Sequence, residues 1–335
     1  MIKYNCISLD SPVAWRETLS GIKHSFGQTW ESCYAMHLTT GLKTFLFSCV
    51  KDSVRFVCPF AERQYGEYVD IAKPFGFSGF IGNADCEEAS LLWTDFVKRQ
   101  GYVCGYLGLN PIYDYSSHFN SEEIFEYDTV YVIDLTRPLG DIFANMDRNR
   151  RRQLKNWEEI KGHLILQKSA LEVFFLDQYY DHLRRKNASP FYYLSRKTFS
   201  FLFGLDNVIF VGAQQDGKIV AVTVFAYTHD VCDAMFNVSL PEGRQYYAAL
   251  MWQGVIMLKA MGVSVMNLGG GKDVEYKRRF GCRTFPLRCL KQVYAPDIYK
   301  KLCQQVAVDS NDMTGIFPAY RKAEFESPAI DTKGT

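Results

Sequence analysis

The segment LGGGKDVEYKRRFG, from Leu268 to Gly281, says more about the fold than any other part of this 335-residue chain. The residues just before it, Val263–Leu268, have the β-branched and apolar composition of a strand. That strand ends in three consecutive glycines, which are Gly269, Gly270 and Gly271. Glycines at a strand end permit close backbone approach and leave amide groups free to face an oxyanion or a phosphate. The basic residues that follow would add positive charge where a carbonyl oxygen becomes negative during acyl transfer.

The same segment is also consistent with a glycine-rich turn beside a solvated basic surface. A nucleotide-binding P-loop does not fit, because the pattern G-x-x-x-x-G-K-[ST] is missing. The surrounding elements are therefore needed to choose between a site and a turn.

Strands and helices alternate upstream of the glycines. The patterns predict a strand at Tyr131–Leu135, a helix from about Leu139 to Ile160, and a hairpin of Asn207–Gln214 with Lys218–Tyr227 across Gln215-Asp216-Gly217. A helix at Arg244–Met261 then leads into the glycine strand. This order predicts a mixed α/β layer structure.

Chain length and element order divide the chain in two. We predict an N-terminal domain at residues 1–128 and a C-terminal domain at residues 129–300 that holds the active site. Residues 301–335 would form an extension that packs back on the first domain.

Three segments, taken in order, resemble the FemAB family of aminoacyl- and acyltransferases. They are YVIDLTRPLGDIFANMDRNRRRQLKNWEE (Tyr131–Glu159), Phe236–Gly271 with its Arg-containing loop and helix, and the glycine segment itself. The resemblance implies an α/β fold of two GNAT-like domains in tandem. A fourth segment, PFGFSGFIG at Pro74–Gly82, resembles family members among surface-glycan and envelope enzymes.

The resemblance places the family's aromatic–lysine pair on Tyr276 and Lys277, which are the predicted catalytic residues. Tyr276 stands where the family usually has Phe. In the family, the lysine helps to stabilise the charge that develops on the acyl carbonyl. Gly269–Gly271 would bind the donor through their backbone.

Several further residues are predicted to contact substrate. Arg151 and Arg152 match a pair of arginines that would meet a phosphate-bearing ligand, although a helix face stabilised by Glu158 and Glu159 is an equal alternative. The remaining predicted contacts are Trp30, Phe75, Phe77, Asn237 and Tyr247. For Asn237 and Tyr247, helix capping and core packing are the alternative.

The donor is not fixed by the sequence. The GNAT motif that grips the pyrophosphate of coenzyme A should lie near Pro241–Ala248, but PEGRQYYA stands there. Family members that use aminoacyl-tRNA also lack that motif. We therefore expect no tightly bound cofactor, and a donor that is aminoacyl-tRNA or an acyl-CoA or acyl-carrier thioester.

Composition limits the other function classes. A net charge of +1 provides no global field for DNA, although five of the eight positions at Arg148–Lys155 are basic and could touch RNA locally. The ten cysteines form no Cys-x-x-Cys pair and no zinc-like cluster, so no metal is expected. Without a signal peptide or an apolar run of about 18 residues, we expect a cytoplasmic protein with no membrane span, which leaves room for peripheral membrane contact.

These observations predict an acyltransferase that acts on an amine of a peptidoglycan or surface-glycan precursor, with charged tRNA as a possible partner. The alternatives are a catalytically inactive GNAT-fold module that binds glycan or RNA, and an RNA-binding protein that uses the basic runs.

Overall fold

The computed structural model describes residues 2–74, 76–271 and 274–326. Internal packing divides the chain into two units. The first takes residues 1–23, 27–127 and the chain from 287 onward, and the second takes residues 24–26 and 128–286. The sequence placed the end of the second domain at residue 300. In the structure residues 287–300 pack with the first unit.

The strands are β1 (Ile2–Ser8), β2 (Thr44–Lys51), β3 (Val54–Tyr65), β4 (Tyr68–Ala72), β5 (Ile81–Gly82), β6 (Cys104–Gly108), β7 (Ile124–Asp134), β8 (Leu164–Ile165), β9 (Val208–Gln215), β10 (Lys218–Tyr227), β11 (Val231–Ser239), β12 (Val265–Gly270) and β13 (Arg283–Val293). The α-helices are α1 (Pro12–Leu19), α2 (Trp30–Thr40), α3 (Ala89–Gln100), α4 (Leu139–Ala144), α5 (Arg148–Gln153), α6 (Trp157–Lys161), α7 (Lys168–Arg185), α8 (Arg196–Phe203), α9 (Tyr247–Ala260), α10 (Glu275–Arg278), α11 (Pro296–Gln305) and α12 (Lys322–Glu326).

The first unit is a mixed sheet with helices packed on it. Each of the strands β1 to β4 pairs antiparallel with the next one along the chain, and β4 pairs parallel with β6. Helix α3 buries Trp93 and Phe96 among the aromatic side chains of β2 and β3, including Phe47 and Phe60. Burial of large aromatic side chains supplies most of the driving force for such a core.

The C-terminal residues belong to this core. In α11, Tyr299 and Leu302 pack with Val103 at the start of β6 and with Phe317 further on. The buried Arg321 then donates from Nε to Asp70 Oδ2 in β4 at 2.7 Å. Residues 296–321 are thereby fixed to the first unit.

The second unit is a sheet in the order β8, β9, β10, β11, β12, β7. The predicted β9–β10 hairpin is confirmed, and its turn residues Asp216 and Gly217 both have positive φ, as a type I′ turn requires. Helix α9 is apolar on nearly all sides and lies on the sheet, where Gly254 allows the ring of Phe225 to approach.

Strands β11 and β12 pair for only three residues. Their parallel register runs from Val231↔Val265 to Asp233↔Asn267. Beyond that point β11 continues through Ser239 beside β10, while β12 bulges between Asn267 and Gly270 against β7. The two strands therefore diverge and leave a gap in the sheet.

The continuous helix predicted from Leu139 to Ile160 is wrong, because the chain forms the separate helices α4, α5 and α6. The side chain of Asp147 accepts a hydrogen bond from the amide of Arg150 at 2.8 Å and so starts α5 as a new helix. Glu158 and Glu159 therefore lie in α6, not in the helix that carries Arg151 and Arg152.

Candidate active site

A cavity of about 560 Å³ lies in the second unit, where β11 and β12 diverge. One wall is β11 from Ala234 to Asn237, and another is the start of α9 with the 3₁₀ turn Glu242–Tyr246 before it. Gly243 lets this turn lie on β10, since a Cβ there would sit 2.1 Å from the carbonyl oxygen of Val220. The short helix α10 supplies the third wall.

Lys277 enters this cavity from α10. Its side chain is only 7% exposed, and its ammonium donates to the carbonyl oxygen of Gly270 at 2.7 Å. The ring of Tyr131 lies 5.8 Å from the same nitrogen. Burial lowers the pKa of Lys277 to about 8, against a smaller opposing effect of Asp128.

The glycine segment holds Lys277, and two of its amides are bonded away from the cavity. The amide of Gly269 donates to Asn267 Oδ1 at 2.8 Å, and the amide of Gly271 donates to the carbonyl oxygen of Thr129 at 3.1 Å. These two amides are therefore not free to face an oxyanion, and that part of the sequence interpretation is wrong. Gly269 has φ of 80°, a left-handed conformation that favours glycine.

Tyr276 and Tyr247 lie beside Lys277 in the same cavity. Their rings meet edge to face at 5.5 Å, and burial raises the pKa of both phenols. Asn237 faces the cavity from β11, where its Nδ2 donates to Thr223 Oγ1 at 2.8 Å. The structure thus brings together four of the predicted site residues.

Arg150, which the sequence interpretation missed, lines the cavity, whereas the predicted Arg151 and Arg152 are not in its lining. It is 7% exposed, donates from Nη2 to the carbonyl oxygen of Tyr276 at 3.1 Å, and lies 4.7 Å from the ring of Phe280. A local signal for it is Leu154, four residues further on, which is apolar and buried.

Comparison with solved structures identifies the architecture. FemX superposes with a TM-score of 0.68 at 9% identity, and the match covers 89% of this chain and 99% of FemX. A conserved protein of unknown function from Bacteroides thetaiotaomicron follows with a TM-score of 0.55 at 12% identity, covering 88% of this chain and all of that one. L-PGS from Bacillus licheniformis has a TM-score of 0.54 at 11% identity, covering 84% and 92% of the two chains.

This chain has the FemX fold. The tandem GNAT-like architecture and the resemblance to FemAB predicted from the residues are confirmed at the level of the fold. No protein-family model matches the chain, and no curated protein matches its sequence.

The other predicted site residues of this FemX-like chain lie elsewhere. Arg151 and Arg152 are exposed, and Arg152 borders a second groove of about 370 Å³ that His163 and Tyr246 also line. Trp30 belongs to the first unit, where its Nε1 donates to the carbonyl oxygen of Leu9 at 2.8 Å.

Phe77 also belongs to the first unit, and its carbonyl oxygen accepts a hydrogen bond from Asn110 Nδ2 at 3.2 Å. The central cavity is lined by second-unit residues, so neither Trp30 nor Phe77 is among them. Phe75 lies outside the described residues.

The cavity is basic. Its ionisable walls include Arg150, His182, Lys186, Arg244 and Lys277, while the lining drawn from the described residues contains no Asp or Glu. Burial lowers the pKa of His182, and the neighbouring basic side chains lower it further. The site therefore favours a negatively charged group or a developing oxyanion over a cation.

Within residues 2–74, 76–271 and 274–326, no cluster of three or more His, Cys, Asp or Glu side chains could hold a metal ion. All ten cysteines are free thiols. Over the same ranges, none of the helices combines the length and the apolar character that crossing a membrane requires.

Proposed function

We propose that this chain is an acyltransferase that moves an aminoacyl or acyl group onto an amine of a cell-envelope precursor, either peptidoglycan or a surface glycan. One observation carries the proposal. A largely buried lysine, Lys277, stands in a basic cavity at the gap between β11 and β12 of a FemX-like fold.

The reaction begins when the acceptor amine attacks the carbonyl carbon of an ester or thioester donor. A carbon–nitrogen bond forms, the carbonyl oxygen becomes an oxyanion, and collapse of that intermediate expels the donor alcohol or thiol. The amine gives up one proton, and the leaving group or solvent takes it. Lys277 stabilises the oxyanion, because a preorganised donor in a site that excludes water is worth about 3–4 kcal/mol to such an intermediate.

The protonation state and the hydrogen bonding of Lys277 suit this role. With its pKa lowered to about 8, Lys277 still carries the ammonium at pH 7. One N–H is taken by the carbonyl oxygen of Gly270, which leaves two donors on the same nitrogen. Alignment of donor and acceptor in the cavity supplies much of the remaining acceleration.

We favour an enzyme over an inactive binding module, because no carboxylate of the described residues forms an ion pair with Lys277, and burial of an unpaired cation costs stability. A module that only binds glycan or RNA would have no need to bury this lysine beside a glycine bulge. The cationic lining also supports a donor that carries phosphate, as aminoacyl-tRNA and acyl-CoA both do.

The test combines purified protein, two labelled donor pools and an extract of nucleotide-linked and lipid-linked envelope precursors. The donors are total aminoacyl-tRNA and acetyl-CoA, and mass spectrometry reports the acceptor that gains mass. Lys277→Ala should lower the transfer rate at least about 100-fold. Lys218→Ala, which removes an exposed lysine from the β9–β10 hairpin, is the matched control and should leave the rate unchanged.

Equal turnover by Lys277→Ala and the wild type would refute the role of Lys277. Absence of transfer from both donors, together with binding of glycan or RNA, would favour the inactive module. In cells, envelope intermediates compared with and without the gene identify the acceptor. An unchanged profile there would point to a soluble small-molecule acceptor instead.

A further inference from the structure

An unusual carboxyl group lies at the base of the gap between β11 and β12. Asp233 is the third residue of the mostly apolar strand β11 and is only 6% exposed. Within the described residues no Lys, Arg or His forms an ion pair with it, and its hydrogen-bond partner is Asn267, whose Nδ2 donates to Asp233 Oδ1 at 2.9 Å. Burial of such a group is costly, so its presence calls for a physical reason.

Asn267 stands opposite Asp233 on β12, at the last parallel pair before the strands diverge. Its side chain is fully buried, and its Oδ1 accepts a hydrogen bond from the amide of Gly269 at 2.8 Å. The β12–β7 register shifts between Asn267 and Gly270, so the asparagine side chain satisfies an amide within this bulge.

The bulge in turn holds the lysine. The carbonyl oxygen of Gly270 accepts the hydrogen bond from Lys277 at 2.7 Å, and a Cβ placed on Gly269 would lie 3.5 Å from the same nitrogen. A short series of contacts therefore runs from Asp233 through Asn267 and the bulge to Lys277.

We infer that Asp233 and Asn267 are positioning residues that fix the Gly269–Gly270 bulge and thereby hold the Lys277 ammonium at the centre of the cavity. The inference rests on the proposed function only for its effect on the rate of transfer. The position that it assigns to the Lys277 side chain does not depend on which substrate the protein uses.

The need for an acceptor oxygen at position 233 follows from the symmetry of an amide. The oxygen and nitrogen of an asparagine side chain have nearly the same shape, so sterics alone do not set which of them faces Gly269. Asp233 Oδ1 accepts a hydrogen bond here, so it favours the orientation in which Asn267 Nδ2 points toward it. Asn267 Oδ1 is then directed at the amide of Gly269.

The test measures Lys277 directly, without a substrate. Competitive acetylation with trace acetic anhydride across pH 6–11, read by mass spectrometry, gives the titration midpoint of each lysine, with exposed Lys218 as the internal reference. Asp233→Leu removes the acceptor, whereas Asp233→Asn keeps an acceptor oxygen. We expect the Lys277 midpoint near 8 in the wild type and in Asp233→Asn, and a shift of at least about one unit toward 10.5 in Asp233→Leu, because a released side chain regains solvent.

An unchanged Lys277 midpoint in folded Asp233→Leu would overturn the inference. If that variant does not fold, hydrogen exchange of the wild-type Gly269 amide decides: at least about 100-fold protection supports the positioning role, and exchange at the free-peptide rate overturns it.

The transfer assay separates the two proposals. Asp233→Leu should lower kcat by up to about 100-fold and leave the donor KM within about two-fold, while Asp233→Asn restores kcat. Lys277 labelling as expected in a protein that transfers nothing would refute the proposed function alone. Normal kcat in Asp233→Leu would refute the positioning role alone.

Discussion

Replacement of Lys277 by Met should stabilise the protein while it abolishes activity. The pKa of Lys277 falls from 10.5 to about 8 on folding, and each unit corresponds to about 1.4 kcal/mol. Burial of the ammonium therefore costs about 3 kcal/mol at pH 7, where the side chain is charged in both the folded and the unfolded chain. Met fills the same volume without a charge but leaves the carbonyl oxygen of Gly270 unpaired, which costs about 1 kcal/mol. We expect a net gain of about 2 kcal/mol.

The gain should depend on pH in a defined direction. Between pH 8 and 10.5 the unfolded chain holds a proton on Lys277 that the folded chain has released. Stability of the wild type therefore rises with pH across this window, because the unfolded state binds more protons. The advantage of Lys277→Met should shrink above pH 8. Above pH 10.5 it should reverse to a deficit of about 1 kcal/mol, since only the lost hydrogen bond remains.

The measurement is the free energy of opening of the second unit, from hydrogen exchange in α9 as a function of urea at pH 7, 8, 9 and 10. The difference between wild type and variant cancels groups that titrate in both proteins. Lys218→Met, at an exposed position, should differ from the wild type by less than about 0.5 kcal/mol. A less stable Lys277→Met at pH 7, or a difference that stays constant from pH 7 to 10, would refute the view of Lys277 as a costly buried cation.

Three further substitutions test other parts of the structure. Arg150→Met should destabilise the second unit by about 2–3 kcal/mol, since it removes a buried donor, whereas Arg151→Met on the exposed face of α5 should change stability by less than about 0.5 kcal/mol. Burial raises the pKa of Asp233 from 3.8 to about 7, so the folded chain binds an extra proton between these values and the wild type loses stability as pH rises through them. Asp233→Asn should lack that loss and be more stable above pH 7, by up to about 4 kcal/mol. Arg321→Ala should cost about 1.5–3 kcal/mol in the first unit, because it removes one of the two arginines that bind the buried Asp70 and leaves Arg63 and Tyr320 as its partners.

Urea unfolding with probes in each unit checks all three. Equal effects at the two arginines of α5 would contradict the assignment of Arg150 to the buried face. A wild type whose stability is flat from pH 4 to 7 relative to Asp233→Asn would contradict the raised pKa. A loss in Arg321→Ala no larger than in Lys300→Ala, a change at an exposed position of α11, would contradict a structural role for the C-terminal segment.

The fold could be predicted because its strongest signals are local. A hairpin turn such as Asp216-Gly217 requires positive φ at both residues, and the glycine cluster from Gly269 marks the end of β12. The break between α4 and α5 was missed because it depends on one side-chain cap at Asp147, which competes with a helical pattern that continues on both sides. A cap of this kind depends on a single residue, so it hardly alters the sequence pattern from which a helix is predicted.

The candidate site could be predicted only in part, for a related reason. Lys277 was found because its neighbours along the chain identify it. Arg150 was missed because three adjacent arginines have the same chemistry, and only the direction of a six-residue helix distinguishes the buried one. The engaged amide of Gly271 could not be foreseen, since its partner Thr129 is distant in the sequence, whereas the amide of Gly269 donates to Asn267 two residues before it, a local contact that the sequence interpretation missed.

The energetic cost of the site supports a function for it. Asp233 and Lys277 ordinarily carry opposite charges, yet no ion pair joins them, and burial shifts the pKa of each toward its neutral form. Apolar residues at both positions would pack in the sheet and the core of the second unit at a lower cost in folding free energy. Two such groups, connected through Asn267 and a glycine bulge at the one place where β11 and β12 separate, are expected where a protein gives up stability to hold a charge at a reacting atom.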